Sequence, residues 1–387
     1  MRLRRFALLA ALFCGWAGRS AGAELSGYAA ARYFYLDGVT GGDHYLLDER
    51  LRPTFTETLD SLPDVTLTVT PQVLLKQGRN SPAITEVDDY LTVERLYLDA
   101  ALSRVSLRLG RQELHWGSGK FWNPTDVFRE TFLADYWAER KGVNAARADV
   151  HLPQAVELSA IVATGDTVFD KNRYAGRATV SRWNQALSAV FMDDQVKDQY
   201  VYGADFHGRY KIGYWVEAAW YDAKPKGVPD HAEAATGLDY LIKVRSGAAV
   251  AVQYFHDGSG VTHPSQYDRL LTLFGLRTNL AQNYATFSGL LNWNKTATLG
   301  LNLIYNLDDG TSFWIPSTNL NLPKGFQVNL GANLFAGARG GEFHLASANY
   351  LVQQTPPGTF PFLFPSPDEV MNGVASAIYY VWLRWNF

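Results

Sequence analysis

Hydrophobic and polar positions alternate along most of this chain with a period of two. The closing stretch SAIYYVWLRWNF (376–387) sets Ala377, Tyr379, Val381, Leu383, Trp385 and Phe387 against Ser376, Ile378, Tyr380, Trp382, Arg384 and Asn386. Successive strand side chains point to opposite sides, so this alternation gives one apolar face and one that turns polar. DVTLTVTPQVLLKQ (64–77), KTATLGLNLIYNL (295–307) and FQVNLGANLF (326–335) repeat the pattern. One such segment is a weak signal, but a whole chain of them, each about 10 residues long, predicts a transmembrane antiparallel up-and-down β-barrel.

The connections support this reading. Short ones are predicted near Ser61–Pro63, Ser103, Leu152–Pro153, Trp183–Asn184, Tyr210, Ser246, Asn294–Lys295 and Pro323–Lys324. Long ones cover 37–44, 78–90, 116–142, 165–173, 194–198, 222–233, 257–281 and 337–373. Short periplasmic turns alternating with long external loops are the barrel's signature. RLLTLFGLRTNL (269–280) breaks the alternation and has helical spacing, so it belongs to a loop. The count is then about 18 strands, with 16 and 20 as alternatives. Aromatics mark the interfaces: Tyr35, Trp220, Tyr254 and Tyr305 near external ends, Tyr210, Trp293, Trp385 and Phe387 near periplasmic ends.

The amino terminus changes the compartment. Arg2, Arg4 and Arg5 precede an apolar run from Phe6 to Ala17 and the small residues Ala21-Gly22-Ala23, the layout of a signal peptide over 1–23. The run is too short to span a bilayer. The expected mature product, 24–387, contains no cysteine, since Cys14 is the only one. Of 35 basic residues four lie in the leader, leaving 31 against 38 acidic ones. That balance argues against nucleic-acid binding. An export signal, 11 Trp, 21 Tyr and no long apolar helix leave a secreted all-β protein or a Gram-negative outer-membrane barrel.

If one strand face meets lipid, the other lines a lumen. Parity places Arg50, Arg52, Lys76, Arg95, Arg108, Arg147, Arg177, Arg209, Lys211, Lys243, Arg245 and Arg384 inward, with Asp48, Asp99, Asp149, Glu157, Asp205, Glu217 and Asp239. A charge on the lipid face costs about 2–4 kcal/mol at mid-membrane, so a single charged face is itself evidence of orientation. The alternative is that these charges merely pair across strands. Acids concentrate in loops, as in Asp88-Asp89, Asp193-Asp194, Asp308-Asp309 and Asp368-Glu369, so the lumen is expected to be basic and to favour anions.

A barrel this wide leaves an aqueous channel unless a loop fills it. The stretch about 116–142 is the candidate. Asn123 suits a helix N-cap, Pro124 the first helical position and Asp126 a capping acceptor; Phe128, Phe132 and Tyr136 follow on one helical face. This predicts a short helix folded into the pore, or one lying outside on the loops.

Gly110-Arg111-Gln112, Trp116-Gly117, Asn123-Pro124-Thr125-Asp126 and Asp308-Asp309-Gly310-Thr311 resemble a broad group of porin-like outer-membrane proteins that includes alginate-export-type barrels. The resemblance implies that Arg111, Trp116, Asn123 and Asp126 shape the inward loop, with an Arg111–Asp126 contact. The terminal Phe387 likewise resembles the signal read by the outer-membrane insertion machinery.

Other chemistry is thin. GSGK (117–120) is not a full phosphate loop, since Phe121 stands where that motif needs a hydroxyl residue. The eight histidines, His151 and His207 among them, show no metal-ligand spacing. The Asp-Asp pairs suit solvated turns, or contacts with lipopolysaccharide through divalent cations. No catalytic residue, cofactor or metal is expected. The leading function is a porin for small hydrophilic, anionic solutes. A plugged barrel for polysaccharide binding or export, with 222–233 and 337–373 as the binding loops, is the alternative. A lipid hydrolase lacks a recognisable Ser–His pair.

Overall fold

In the computed structural model, residues 23–37, 45–59, 62–79, 89–128, 140–164, 171–244, 246–268, 279–338, 340–343 and 377–387 are described. The strands are β1 (Ala23–Asp37), β2 (Tyr45–Leu59), β3 (Leu62–Arg79), β4 (Asp89–Leu102), β5 (Val105–Gln112) and β6 (Val143–Leu152). Then come β7 (Val156–Ala163), β8 (Arg173–Arg182), β9 (Gln185–Asp194), β10 (Gln199–Arg209), β11 (Gly213–Ala223) and β12 (His231–Ile242). The series ends with β13 (Ala248–Asp257), β14 (Asn283–Asn292), β15 (Ala297–Asn306), β16 (Ser312–Asn321), β17 (Phe326–Ala336) and β18 (Ala377–Asn386).

Each strand pairs antiparallel with its sequence neighbours, and β1 pairs with β18, so the 18-stranded sheet closes on itself. Closure satisfies every strand's ladder and leaves no edge, which is what a β-structure needs in hydrocarbon.

The turns at one end are tight because their residues accept left-handed backbone: Ser103, Trp183, Asn184 and Lys324 have φ of 49, 51, 61 and 60°. The face alternation recurs on strands spread around the ring, whereas on β2 the outward Leu51 and Phe55 are buried. On β18, Tyr379, Val381, Leu383 and Trp385 are exposed outward while Tyr380 is buried inward. Leu107 and Leu109 on β5, Leu158 and Val162 on β7 and Val216 and Trp220 on β11 repeat the outward exposure. Large apolar side chains in contact with bulk water are unfavourable, so this outward band calls for an apolar solvent. At its two rims lie the ring side chains of Tyr35, Trp220, Tyr254 and Tyr305, and of Tyr210, Trp293 and Trp385.

A register shift between Thr70 and Pro71 inserts one extra residue in β4, so Thr70 faces Arg95 and Pro71 faces Val93. The bulge explains how Glu94 and Arg95 both accompany inward neighbours, a parity switch that strict alternation misses.

Among described strand residues, the outward face carries Asp37, Glu57, Asp89, Arg111, Arg182, Asp193 and Asp222 close to strand ends. Glu49 of β2 is the mid-strand exception, opposite Ala31 and Leu75. The inward placement of charge is therefore strong but not complete.

Candidate functional site

The lumen is built from the inward residues and from the loop joining β5 to β6. Two apolar anchors fix that loop. Leu114, Trp116 and Phe128 pack against Ala145, Ile161, Ala163, Ala175, Val190, Met192, Val201 and Ala219, on the inner wall from β6 to β11. Phe121 and Trp122 pack against Ala235, Phe255, Tyr284, Ile304, Phe313 and Ile315, on the wall from β12 to β16. The rings of Trp122 and Phe255 stack at 4.9 Å and 6°, a geometry adding about 0.5–1.5 kcal/mol to their burial. The inward apolar residues Ile161, Ile304 and Ile315, anomalous for a wet lumen, are thereby explained.

Between the anchors the loop closes around one carboxylate. Glu217 of β11 is fully buried. Its Oε1 accepts from Ser118 N at 2.5 Å, Gly119 N at 2.5 Å and Ser118 Oγ at 3.1 Å. Its Oε2 accepts from Thr125 Oγ1 at 2.9 Å and Thr125 N at 3.4 Å. Ser118 Oγ also donates to Asp205 at 2.7 Å. Gly117 sits at φ 88°, and a Cβ there would lie 2.8 Å from Glu217 Oε2, so the turn needs glycine. The GSGK segment is thus an anion-cradling turn, and the anion is the barrel's own carboxylate. Next to it, Gln253 Oε1 accepts from Lys120 N and Phe121 N at 2.8 and 3.2 Å, and Trp122 Nε1 donates to Asn279 at 3.1 Å.

Residues 123–128 form turns, not the helix start read from the sequence, and 129–139 lie outside the described residues; Asp126 N donates to Asn123 O at 3.0 Å. Asp126 does not cap a helix and does not meet Arg111. It takes a hydrogen bond from Arg140 at 2.5 Å, with His115 Nδ1 at 3.4 Å. Burial pushes its carboxyl up, but the bonds from His115 and Arg140 outweigh that and hold it below the usual range. Arg111 alternates with Arg108 and Gln112 on β5, so its register puts it on the outward face at the rim. The sequence reading missed Arg140 because it stands 14 residues beyond its partner. Phe132 and Tyr136 lie outside the described residues.

Arg108 bonds Asp99 at 2.6 and 3.0 Å and lies 4.4 Å from the Tyr97 ring. Across β5 and β6, Arg108 stands opposite Arg147, and Arg147 bonds Asp149 at 2.7 Å. Asp99 and Asp149 relieve what would otherwise be a like-charge pair. Glu157 lies 3.7 Å from His151, Arg177 lies 3.5 Å from Asp205, and Arg209 pairs with Asp239. Arg95 pairs with Glu113 at the root of the loop. Arg50 reaches Asp48 at 3.4 Å, and Arg384 covers the Tyr28 ring at 4.0 Å. Lys211 and Lys243 follow the last residues of β10 and β12 and stand in turns, not in the pore wall. Arg245 and the side chain of Lys76 lie outside the described residues.

Arg32 was missed, although it faces inward and pairs with Asp48. So were Arg173, Asp194, Glu233 and Asp257, all at strand ends that the sequence reading assigns to loops. With Lys211 and Lys243 outside the wall and these five counted, the described lumen residues carry no general basic surplus. Charge is instead segregated. Arg32, Arg50, Arg52, Arg95, Arg108 and Arg384 lie on β18 and β1–β5 with Asp48, Glu94 and Asp99 among them, whereas Asp205, Glu217, Glu233, Asp239 and Asp257 lie on β10–β13 with Arg209 among them. β2 and β11 are nine places apart in the ring of 18, so the basic and acidic walls face each other.

The Asp308-Asp309-Gly310-Thr311 motif ties loops together. Asp308 accepts from Gln282 N, Asn283 N and Asn283 Nδ2 at 2.8–2.9 Å. Asp309 accepts from Thr311 Oγ1 at 2.6 Å, Glu342 N at 2.7 Å and Tyr267 Oη at 3.0 Å. Glu342 in turn accepts from Tyr284 Oη at 2.6 Å, Asn306 Nδ2 at 2.7 Å and Leu280 N at 2.8 Å. Burial drives the Glu342 carboxyl up to about 7, against the hydrogen bonds that favour its charged form.

No protein-family model matches the chain, and no curated protein matches it in sequence. Among solved structures, it is similar to OccAB1 of Acinetobacter baumannii, with a TM-score of 0.59 at 10% identity over 96% of this chain and 99% of that one. A mutant of the Rh. blastica porin aligns over 94% of this chain and 100% of that one at 13% identity, with a TM-score of 0.47 that bears no weight. The chain has the closed 18-stranded architecture of porin-like outer-membrane barrels.

Proposed function

We propose that this protein is an outer-membrane channel for passive passage of small hydrophilic solutes, with a preference for anions. The carrying observation is the division of the lumen. The loop is anchored on β6–β16, and the arginines of β18 and β1–β5 lie on the wall beyond it. A row of guanidinium groups offers an anion successive partners, so it can be handed on without a deep trap. The facing carboxylates of Glu217 and Asp205 are engaged by the loop, which reduces their pull on cations. No catalytic step and no cofactor is needed for this role.

The outward apolar band would meet lipid and lipopolysaccharide, and the strand ending at Phe387 would engage the insertion machinery. The purified chain in a planar bilayer should give stepwise conductance, and liposomes carrying it should swell faster in small organic anions than in neutral sugars of equal size. A barrel that never conducts but retains polysaccharide would replace this reading with the binding one.

A further inference from the structure

We propose that the inward face of β15–β18 holds a binding subsite for a neutral polyhydroxylated solute, a sugar, set apart from the arginine path. Strands β14–β17 contain no Asp, Glu, Lys or Arg, although the acidic and basic walls flank them. Their inward positions are rich in amides instead. Thr298, Asn319, Asn329 and Trp382 are successive register partners from β15 to β18. Direct partners of this kind set their Cβ atoms about 4.5–5.5 Å apart, so the four side chains form one continuous row.

The amides differ in what already engages them. Beside the turn at Pro323–Gly325, Gln327 Nε2 donates to Asn321 Oδ1 at 2.9 Å. Further along the same face, the side-chain oxygens of Asn319, Asn329 and Asn333 are buried and accept no hydrogen bond. Asn333 as a whole is only 8% exposed. A buried amide oxygen without a donor is unfavourable, and three on one lumen face suit a ligand rich in O–H groups. Between Asn329 and Asn333, Gly331 leaves the space that the Tyr380 hydroxyl enters, since a Cβ there would collide with it.

The chemistry selects the ligand. An ionised carboxylate only accepts and brings no donor to these oxygens, and a cation finds no countercharge on β14–β17. A sugar hydroxyl both donates and accepts, matching the carbonyl and NH2 of each amide. The C–H face of a sugar ring suits the half-buried Trp382, whose position Arg32 and Arg384 fix from 5.8 and 5.9 Å.

The subsite needs the lumen wall but not conduction, and its test is independent of current. The full mature chain is refolded in a detergent without a sugar headgroup, and saturation-transfer NMR reads its contact with maltose. Wild type should show saturable contact that excess sodium propionate does not displace. Asn319→Leu combined with Asn329→Leu keeps side-chain size and removes the amides. That variant should need at least roughly tenfold more maltose for half-saturation, with the heat-resistant barrel retained on gels. Asn333→Leu should weaken the contact as well, in a barrel no less stable than wild type, because it removes a buried unpaired oxygen. No saturable contact in wild type, displacement by propionate, or unchanged contact in the folded Asn variants would each overturn the proposal. Maltose contact without conductance would remove the channel reading alone, and conductance without maltose contact would remove the subsite alone.

Discussion

Phe387 and Gly27 exchange both backbone hydrogen bonds, Gly27 N to Phe387 O and Phe387 N to Gly27 O, each at 3.0 Å. These two bonds complete the ladder between the first strand and the last, where the ring is sealed. A Cβ on Gly27 would meet Arg52 O at 2.5 Å and Pro53 Cα at 2.7 Å, and its φ is 152°. Gly27→Val should destabilise the closed barrel by roughly 1–3 kcal/mol. Urea unfolding in detergent checks this, and an unchanged midpoint contradicts the seam's tight fit.

Deleting Phe387 removes one of those partners and the ring that packs on Trp385 at 5.2 Å. The truncated chain should refold in detergent with a lowered yield and accumulate far less in the outer membrane of cells. Equal membrane levels in pulse-chase fractionation would remove Phe387 from any role in insertion.

Glu217→Ala strips the lumen loop of its central acceptor and leaves buried amide donors at Ser118 and Gly119. The loss should be about 3 kcal/mol of loop anchoring, since bonds to a charged group are worth about 1.5–3 kcal/mol. The observable is larger, noisier single-channel current and protease cleavage within 116–128. A quiet channel of unchanged conductance would show that Glu217 does not hold the loop in place.

Glu342 gives the loops a pH dependence. Its carboxyl sits near 7 in the folded state, above the ordinary 4.5. A raised carboxyl pKa favours the folded state below the unfolded value, and that contribution is lost as pH climbs through the folded one. Loop packing at this end should weaken between about pH 4.5 and 7, by something on the order of 3 kcal/mol. Hydrogen exchange at Leu280 and Phe343 should speed up over that window, and Glu342→Gln should flatten the change. Protection that rises with pH would reverse the assignment.

Strand positions were legible because alternation is a local signal. The 18 strands, the tight turns and the outward side chains of Leu383, Trp385 and Trp220 all follow from period two. What escaped was set by long-range partners. Arg32 is inward by the same parity, yet only its pairing with Asp48 shows its place. The Asn123–Asp126 stretch reads as a helix start, but Glu217, nearly a hundred residues on, pulls Thr125 and Ser118 into turns instead. Ile304 and Phe313 look like errors of alternation until Phe121 and Trp122 arrive from across the lumen. Asp194, Glu233 and Asp257 were lost at strand ends, where loop and ladder look alike in sequence.

The central claim is that ions pass along the arginine wall of β18 and β1–β5. The reversal potential of the purified chain in a planar bilayer, under a KCl gradient, tests it most directly. Wild type should show chloride preference, and Arg52→Glu combined with Arg95→Glu should abolish or invert it with conductance retained. Potassium preference in the wild type, or an unchanged potential in the double variant, would contradict the account.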